Sequence, residues 1–216
     1  MQTTSSKTAK SASIITFLVM MLFALPTSAQ GVAEVWLNKS LQKLQNKGAE
    51  MSFRIDGEGM SFSGKILMEG NKFHYDSESI KIWYDGATQW TLQSDAGYSE
   101  LYISQPDLED LQLINPCLLL KHYKDFFSLT DGGEKTIHGK LTHMVTLNAI
   151  SDDSQISDIN VYIDNNGIPV FLELMLLDGM EEEVEIRSMR DGLTFPKNTF
   201  TYSEKDYPAD EVIDMR

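Results

Sequence analysis

Four histidines, His74, His122, His138 and His143, and one cysteine, Cys117, are the residues best suited to chemistry. A zinc hydrolase sets two histidines a helical turn apart with a glutamate between them. None of the four histidines shows that H-E-x-x-H spacing. A serine hydrolase presents its nucleophile on a tight G-x-S-x-G turn, and the chain has none. Cys117 lies among leucines and reads as a buried free thiol rather than a nucleophile. Asp164-Asn165-Asn166-Gly167 opens like a calcium loop, but Met175 stands where the closing glutamate belongs. A hairpin turn is the better reading. Asp152, Asp153 and Asp158 read as a solvated loop. No phosphate loop or dinucleotide fingerprint occurs. The expectation is a protein that is not an enzyme, with no cofactor and no metal.

The elements that would position any site are legible from periodicity. Val32, Val35, Trp36, Leu41 and Leu44 fall near a 3.6-residue period and predict a helix over 32–47, with Gly48 as its stop. The period then becomes two. Met51, Phe53 and Ile55 alternate with polar residues, as do Met60, Phe62, Ile66 and Met68. Phe73 and Tyr75, Ile80, Ile82 and Tyr84, Trp90 and Leu92, and Leu101 and Ile103 continue the pattern. Asp85-Gly86 and Asn166-Gly167 are hairpin signals. Residues 106–127 interrupt the strands with two short helices, the second opened by Asn115-Pro116. Strands resume at Leu141, and a long apolar strand from Ile168 to Leu177 ends at Asp178-Gly179, followed by a polar partner from Met180 to Met189 that Asp191-Gly192 closes. The C-terminal stretch from Phe195 reads as short elements. A single long antiparallel sheet, crossed by three helices, must curl and would close or nearly close into a barrel. The helices would cover its open end or its inner face.

Residues 1–29 have the layout of a cleaved secretory signal peptide. Lys7 and Lys10 precede an apolar run from Ile14 to Leu25, and Thr27-Ser28-Ala29 offers a cleavage site. The run is about a dozen residues, short of the ~20 a spanning helix needs. Residues 30–216 would then form one exported domain. Its formal charge, −14 for the whole chain, becomes more negative once the two lysines are removed. Nucleic acid is therefore not an expected partner. With one cysteine there is no internal disulfide, so burial alone must hold the domain.

The apolar content is large for a chain without catalytic spacing. Leu108, Leu111, Ile114, Leu118, Leu119, Tyr123 and Phe126 gather on the two central helices. Phe53, Phe62, Met68, Phe73, Tyr75, Ile82 and Trp90 are assigned to the inner sheet face. An ordinary core accounts for most such residues. A cavity for a large apolar ligand, between curved sheet and helical cover, is the functional alternative.

The order of motifs resembles a known family. Ile82-Trp83-Tyr84-Asp85-Gly86-Ala87-Thr88-Gln89-Trp90 is similar to the D-G-x-T-x-W hairpin of LolA-type lipoprotein carriers, and Gly70-Asn71-Lys72-Phe73-His74-Tyr75 resembles the strand before it. Ile114-Asn115-Pro116 with Leu118-Leu119-Leu120 resembles the lid of a LolA-like subgroup. Phe195 to Phe200 and Tyr207 to Asp214 resemble that subgroup's C-terminal end. The resemblance implies a mainly β fold with a few helices, an incomplete antiparallel barrel covered by a helical lid. It implies a monomeric periplasmic carrier whose cavity takes the acyl chains of triacylated lipoproteins. An inner-membrane lipoprotein-release complex would be the donor and an outer-membrane receptor the acceptor. Two other functions remain open: a module of the same fold that binds another lipid or senses lipoproteins, and a lipid esterase, against which the missing nucleophile–base pair argues. One departure stands out. Many relatives place a basic residue and a proline just before the Phe-x-aromatic strand, and that arginine is associated with lid closure. Here the place reads Glu69-Gly70.

Overall fold

The computed structural model describes residues 29–45, 47–57, 59–107, 115–151 and 154–216. The expected leader, apart from Ala29, lies outside the described residues. So do Leu108, Leu111, Ile114, Asp152 and Asp153, and the side chain of Cys117 is not among those described. Among the described residues no helix is long and apolar enough to cross a membrane.

Helix α1 (Ala29–Gln45) leads into β1 (Gly48–Gly57), so Gly48 begins a strand directly after the helix. A meander follows: β2 (Met60–Glu69), β3 (Lys72–Ser77), β4 (Ile80–Tyr84), β5 (Gln89–Asp95) and β6 (Tyr98–Ser104). Helix α2 (Pro116–Phe126) runs straight into β7 (Phe127–Ile137). The second meander is β7, β8 (Lys140–Ala149), β9 (Ile156–Asp164), β10 (Pro169–Leu176) and β11 (Glu181–Leu193), with β12 (Glu211–Asp214) near the C-terminus. All twelve strands form one sheet in the order β12-β6-β5-β4-β3-β2-β1-β11-β10-β9-β8-β7. The two meanders join where β1 pairs antiparallel with β11. The sheet curves over the helices without closing, since β7 and β12 do not pair.

The period-two reading locates most strands, misses two, and ends β11 too early, since Asp191-Gly192, expected to close it, lies inside a strand that pairing with β1 carries on to Leu193. β7 carries Gly132-Gly133 and several charges, so its apolar alternation stops after Leu129. Pairing with β8, not its own pattern, makes it a strand. β12 adds to β6 in parallel, whereas the other pairings among the described residues are antiparallel.

Alternation places one set of side chains on the concave face. Met51 pairs across to Ile66, Ile66 to Tyr75 and Tyr75 to Ile82. On the other side of the seam Phe53 faces Ile186, Ile55 faces Val184, and Val184 faces Leu172. Helix α1 packs on this face against β7, β8 and β1. Its buried stripe is Ala33, Leu37, Ser40 and Leu44. That corrects the expected stripe: Val35 is 65% exposed, and Trp36 and Leu41 are only partly buried. Small residues at 33 and 40 let the helix approach the sheet. Complete burial of Leu37 and Leu44 stabilises this contact by ~1.5–3 kcal/mol each.

A second, smaller apolar cluster lies on the convex face. Trp83, Leu92 and Leu101 are buried there beneath Tyr202, Tyr207 and Ala209 from the C-terminal segment. Tyr207 and Tyr202 meet the Trp83 ring at 5.0 and 5.5 Å. His74 stacks on the same tryptophan at 4.8 Å, with Nδ1 3.1 Å from the Ile82 carbonyl oxygen. Burial lowers the His74 pKa below its ordinary value, against the opposing pull of that hydrogen bond and of Asp76. A neutral ring donates from Nδ1 to the carbonyl.

The 164–167 segment is a hairpin turn, as the sequence suggests. Asp164 Oδ1 accepts from the backbone N–H of Asn166 and Ile168 at 2.8 and 2.9 Å. Gly167 has φ +81°, and a Cβ there would stand 3.1 Å from the Lys39 carbonyl oxygen of α1. Lys39 Nζ in turn donates to the Asn165 carbonyl. The turn is thus docked on the helix. Gly179 has φ +86° but open space around it. Gly179→Ala should therefore cost only the left-handed penalty of ~1–2 kcal/mol. Gly167→Ala should cost about twice that, because backbone must also move. Urea denaturation of both variants checks the ordering, and equal losses would refute the docking.

Stability should also fall as pH drops below ~6.5, because the unfolded chain then protonates His74 more readily than the folded one. The lost contribution is fully present above the unfolded pKa. His74→Gln should therefore lose less stability than the parent between pH 7.5 and 5.5, by up to ~1.4 kcal/mol per unit of pKa difference. Parallel pH dependence in the two proteins, measured by chemical denaturation, would refute it.

Candidate functional site

Between the sheet and the helices lies a cavity of about 360 Å³. Its wall straddles the β1–β11 seam. Met51, Phe53 and Ile55 of β1 and Val184 and Ile186 of β11 form the centre. Ile159, Val161, Leu172 and Leu174 extend it to one side, and Tyr75, Ile80 and Ile82 to the other. Leu44 of α1 and Leu119 and Leu120 of α2 close it from above. Among the described residues two lining side chains carry polar groups, the Tyr75 hydroxyl and the Glu182 carboxylate. Burial raises the Tyr75 phenol above its ordinary pKa, so it stays neutral at physiological pH. The cavity is near the small end of the ~300–1,000 Å³ usual for ligand sites.

Helix α2 crosses the concave face and is tied down at both ends. At its start Asn115 is wholly buried, and its side-chain amide reaches the Asn71 carbonyl in the β2–β3 turn at 3.5 Å. Leu119 N–H donates to the Asn115 carbonyl at 3.0 Å, and Pro116 follows where a missing N–H costs nothing. At its end the Phe126 carbonyl accepts from Ile150 N–H at 3.0 Å. Between them Leu118, Leu119, Leu120 and Tyr123 are buried. An ion pair at the surface joins Lys124 to Glu34 of α1 at 2.5 Å. The hydrogen bond from Lys124 holds the Glu34 carboxyl below the usual range. These contacts, rather than a basic residue at position 69, tie the helix to the body.

The expected site residues divide into groups. Phe53, Tyr75, Ile82 and Leu119 line the cavity. Met68, Phe73, Leu118 and Tyr123 are buried in the same core without reaching the cavity wall, and Phe126 packs against it. Phe62 lies opposite Ile55, on the concave side, but is 44% exposed near the β1–β2 turn. Trp90 is a correction. It pairs with Trp83, so its ring belongs to the convex cluster and not to the cavity. β4 carries large apolar residues on both faces, and the apolar side of β5, Trp90 and Leu92, follows the outward-facing Trp83, so alternation alone does not say which face turns inward. Leu120, Leu172, Leu174, Val184 and Ile186 were missed as site residues. The signal for the last two was present, since Val184 and Ile186 alternate with Glu183 and Glu185.

The histidines do not converge. His122 sits on α2, 3.5 Å from Asp125. His138 occupies the β7–β8 turn against the edge of Phe171 at 5.4 Å. His143 Nε2 is 2.5 Å from Asp131, and its ring stacks on Trp36 at 4.7 Å. That pair props α1 on the sheet. Lys39 lies over the same Trp36 ring at 4.8 Å.

A comparison with solved structures finds an uncharacterized conserved protein from Thermus thermophilus with the same fold. The TM-score is 0.59 at 11% identity, over 85% of this chain and 99% of that one. A LolA superfamily protein from Nitrosomonas europaea aligns at TM-score 0.42 and 11% identity, over 79% and 97% of the two chains. The Mycobacterium tuberculosis lipoprotein LppX aligns at 0.44 and 15%, over 76% and 98%. No match is found among curated proteins. The family model described as outer membrane lipoprotein carrier protein LolA matches residues 25–167. That match spans well over half of the chain, and with the open sheet beneath its helices it decides the assignment. The chain belongs to the LolA family of outer-membrane lipoprotein carriers.

Proposed function

We propose that this protein is a periplasmic carrier that takes the acyl chains of lipoproteins into its cavity and passes them towards the outer membrane. The observation that carries this is the cavity itself, apolar among the described residues but for Tyr75 and Glu182 and roofed by a helix whose hydrogen bonds to the body lie at its two ends. In this reading the chain is a binding protein, not an enzyme. It receives its cargo from an inner-membrane release complex and gives it to an outer-membrane acceptor, and the leader over 1–29 directs its export.

Magnitudes favour transfer by contact. Each buried methylene contributes ~0.8 kcal/mol, so about a dozen contribute ~10 kcal/mol. Three chains wholly buried would exceed the ceiling of about 20 kcal/mol seen for non-covalent affinities. A cavity of about 360 Å³ accordingly holds part of such a cargo. Chain methylenes compete with the roof for the same wall, so loading displaces Leu119 and Leu120.

Val184 is partly exposed and lines the cavity. Val184→Phe should reduce binding of a fluorescent fatty acid at least about tenfold. It should shift stability by less than ~1 kcal/mol, whereas overpacking a filled core costs ~1–3 kcal/mol. Thermal melting beside the binding titration separates the two. A large stability loss with unchanged binding would mean that the cavity is ordinary core.

Transfer is tested with purified, loaded protein and a labelled lipoprotein. Release into buffer should be slower than release to acceptor-containing membranes by several powers of ten, since each ~1.4 kcal/mol of buried chain is a factor of ten. Equal rates would eliminate a contact-dependent carrier. Release of free fatty acid during the assay would favour the esterase.

A further inference from the structure

We propose that the concave face of β5 and β6 is a second binding site, which holds the peptide next to the acylated cysteine of the cargo and favours basic over acidic sequences there. This rests on the carrier reading and concerns the part of the lipoprotein that lies outside the apolar cavity. The sheet changes sides at β4. Residues that pair directly across neighbouring strands share a face. Ile80 and Ile82 line the cavity, and their partners on β5 are Gln93 and Thr91. The partners of these on β6 are Glu100 and Tyr102. The apolar residues of the same two strands, Trp90, Leu92, Leu101 and Ile103, belong to the convex cluster. The concave surface is therefore apolar where it forms the cavity, as far as β4, and polar on β5 and β6.

A second cavity, of about 510 Å³, opens on the polar part. Ser79, Ser94 and Tyr98 bring hydroxyls to it, Gln93 an amide, and Asp95 and Glu100 carboxylates. Ile80 lines both cavities, so the two abut at β4. Among the described residues no cation lines the second cavity, and neither Asp95 nor Glu100 enters an ion pair. Glu100 accepts the Tyr102 hydroxyl at 2.6 Å, which holds its carboxylate in place.

The root of a triacylated cysteine is uncharged, because its amine is itself acylated. The peptide that follows is a different material, with one N–H and one C=O on each residue. Pressing these groups against methyl groups without partners is costly. The hydroxyls, amide and carboxylates of the second cavity supply donors and acceptors for both. Ile80 and Glu100 stand two interstrand spacings apart, about 10 Å. About three extended residues span that distance. A chain whose acyl groups fill the first cavity thus brings its first few residues to Asp95 and Glu100. A lysine or arginine among them is attracted, while an aspartate or glutamate meets a like charge and is repelled, which is selectivity by exclusion.

The test uses the whole folded chain at about 0.15 M salt, where exposed charges are screened beyond ~8 Å. The probes are tripalmitoylated cysteinyl peptides that continue in Ser-Lys-Lys or in Ser-Glu-Glu, and tripalmitoyl cysteine methylamide, which carries the chains alone. Binding is read by displacement of a fluorescent fatty acid. The proteins are the parent, Asp95→Asn with Glu100→Gln, and Glu181→Gln with Glu183→Gln, which removes the same charge from exposed positions of β11. The parent and the β11 variant should bind the lysine peptide about tenfold more tightly than the glutamate peptide, a difference of ~1.4 kcal/mol. Asp95→Asn with Glu100→Gln should bring the two peptides within about threefold and leave the methylamide unchanged. Equal binding of both peptides by the parent, or a preference that survives Asp95→Asn with Glu100→Gln, overturns the proposal while leaving the carrier reading intact. An equal loss of preference in the β11 variant also overturns it, by assigning the effect to overall charge. Failure of the methylamide to bind the parent overturns both.

Discussion

The pairing of β1 with β11 is the interaction on which the rest depends. It brings the first strand of the domain against one formed about 130 residues later and makes one sheet of two meanders. Its register, Phe53 to Ile186 and Ile55 to Val184, directs four large side chains into the cavity from both sides of the seam. A slip of one residue would turn Glu183 and Glu185 inward and empty the wall. The seam is also a long-range contact, so its loop-closure cost must be met before the cavity exists.

The roof is held mainly by apolar contact. An exposed ion pair such as Lys124–Glu34 contributes little, because water and salt screen it and two long side chains must be ordered to make it. Leu119, Leu120 and Tyr123 contribute far more, at ~1.5–3 kcal/mol for each buried side chain. Position 69 is a glutamate, so no cation there takes part in holding the helix. The terminal ties through Asn115 and Phe126 fix where the helix sits without fixing how deeply it presses on the wall. A ligand of the same chemistry as the roof can then exchange with it at little net cost.

Much of this was legible in the sequence, for physical reasons. Alternation marked the strands wherever one face is apolar, and Asp85-Gly86, Asn166-Gly167 and Asp178-Gly179 marked their turns. Asn115-Pro116 marked the start of α2. Three things were not legible. The face of α1 rests on Ala33 and Ser40, whose small side chains carry little hydropathy but permit close approach. β7 is a strand because β8 makes it one. Trp90 was assigned to the wrong face because Trp83, Leu92 and Leu101 give the outer side of that region a core of its own. The cavity, in turn, depends on curvature, which no local pattern encodes.

The sheet stops short of closure, with β7 at one end and β12 at the other. In a closed barrel the radius is set by strand number and shear, so its interior has one size. Here no ladder of hydrogen bonds spans the gap between the end strands. The radius of curvature can change by small increments of twist along the whole sheet, without breaking a single interstrand bond. The capacity of such a container is an elastic property of its wall. In the carrier proposed above, cargoes of different girth would be a matter of how far one spring is bent, and not of how many side chains must be rebuilt.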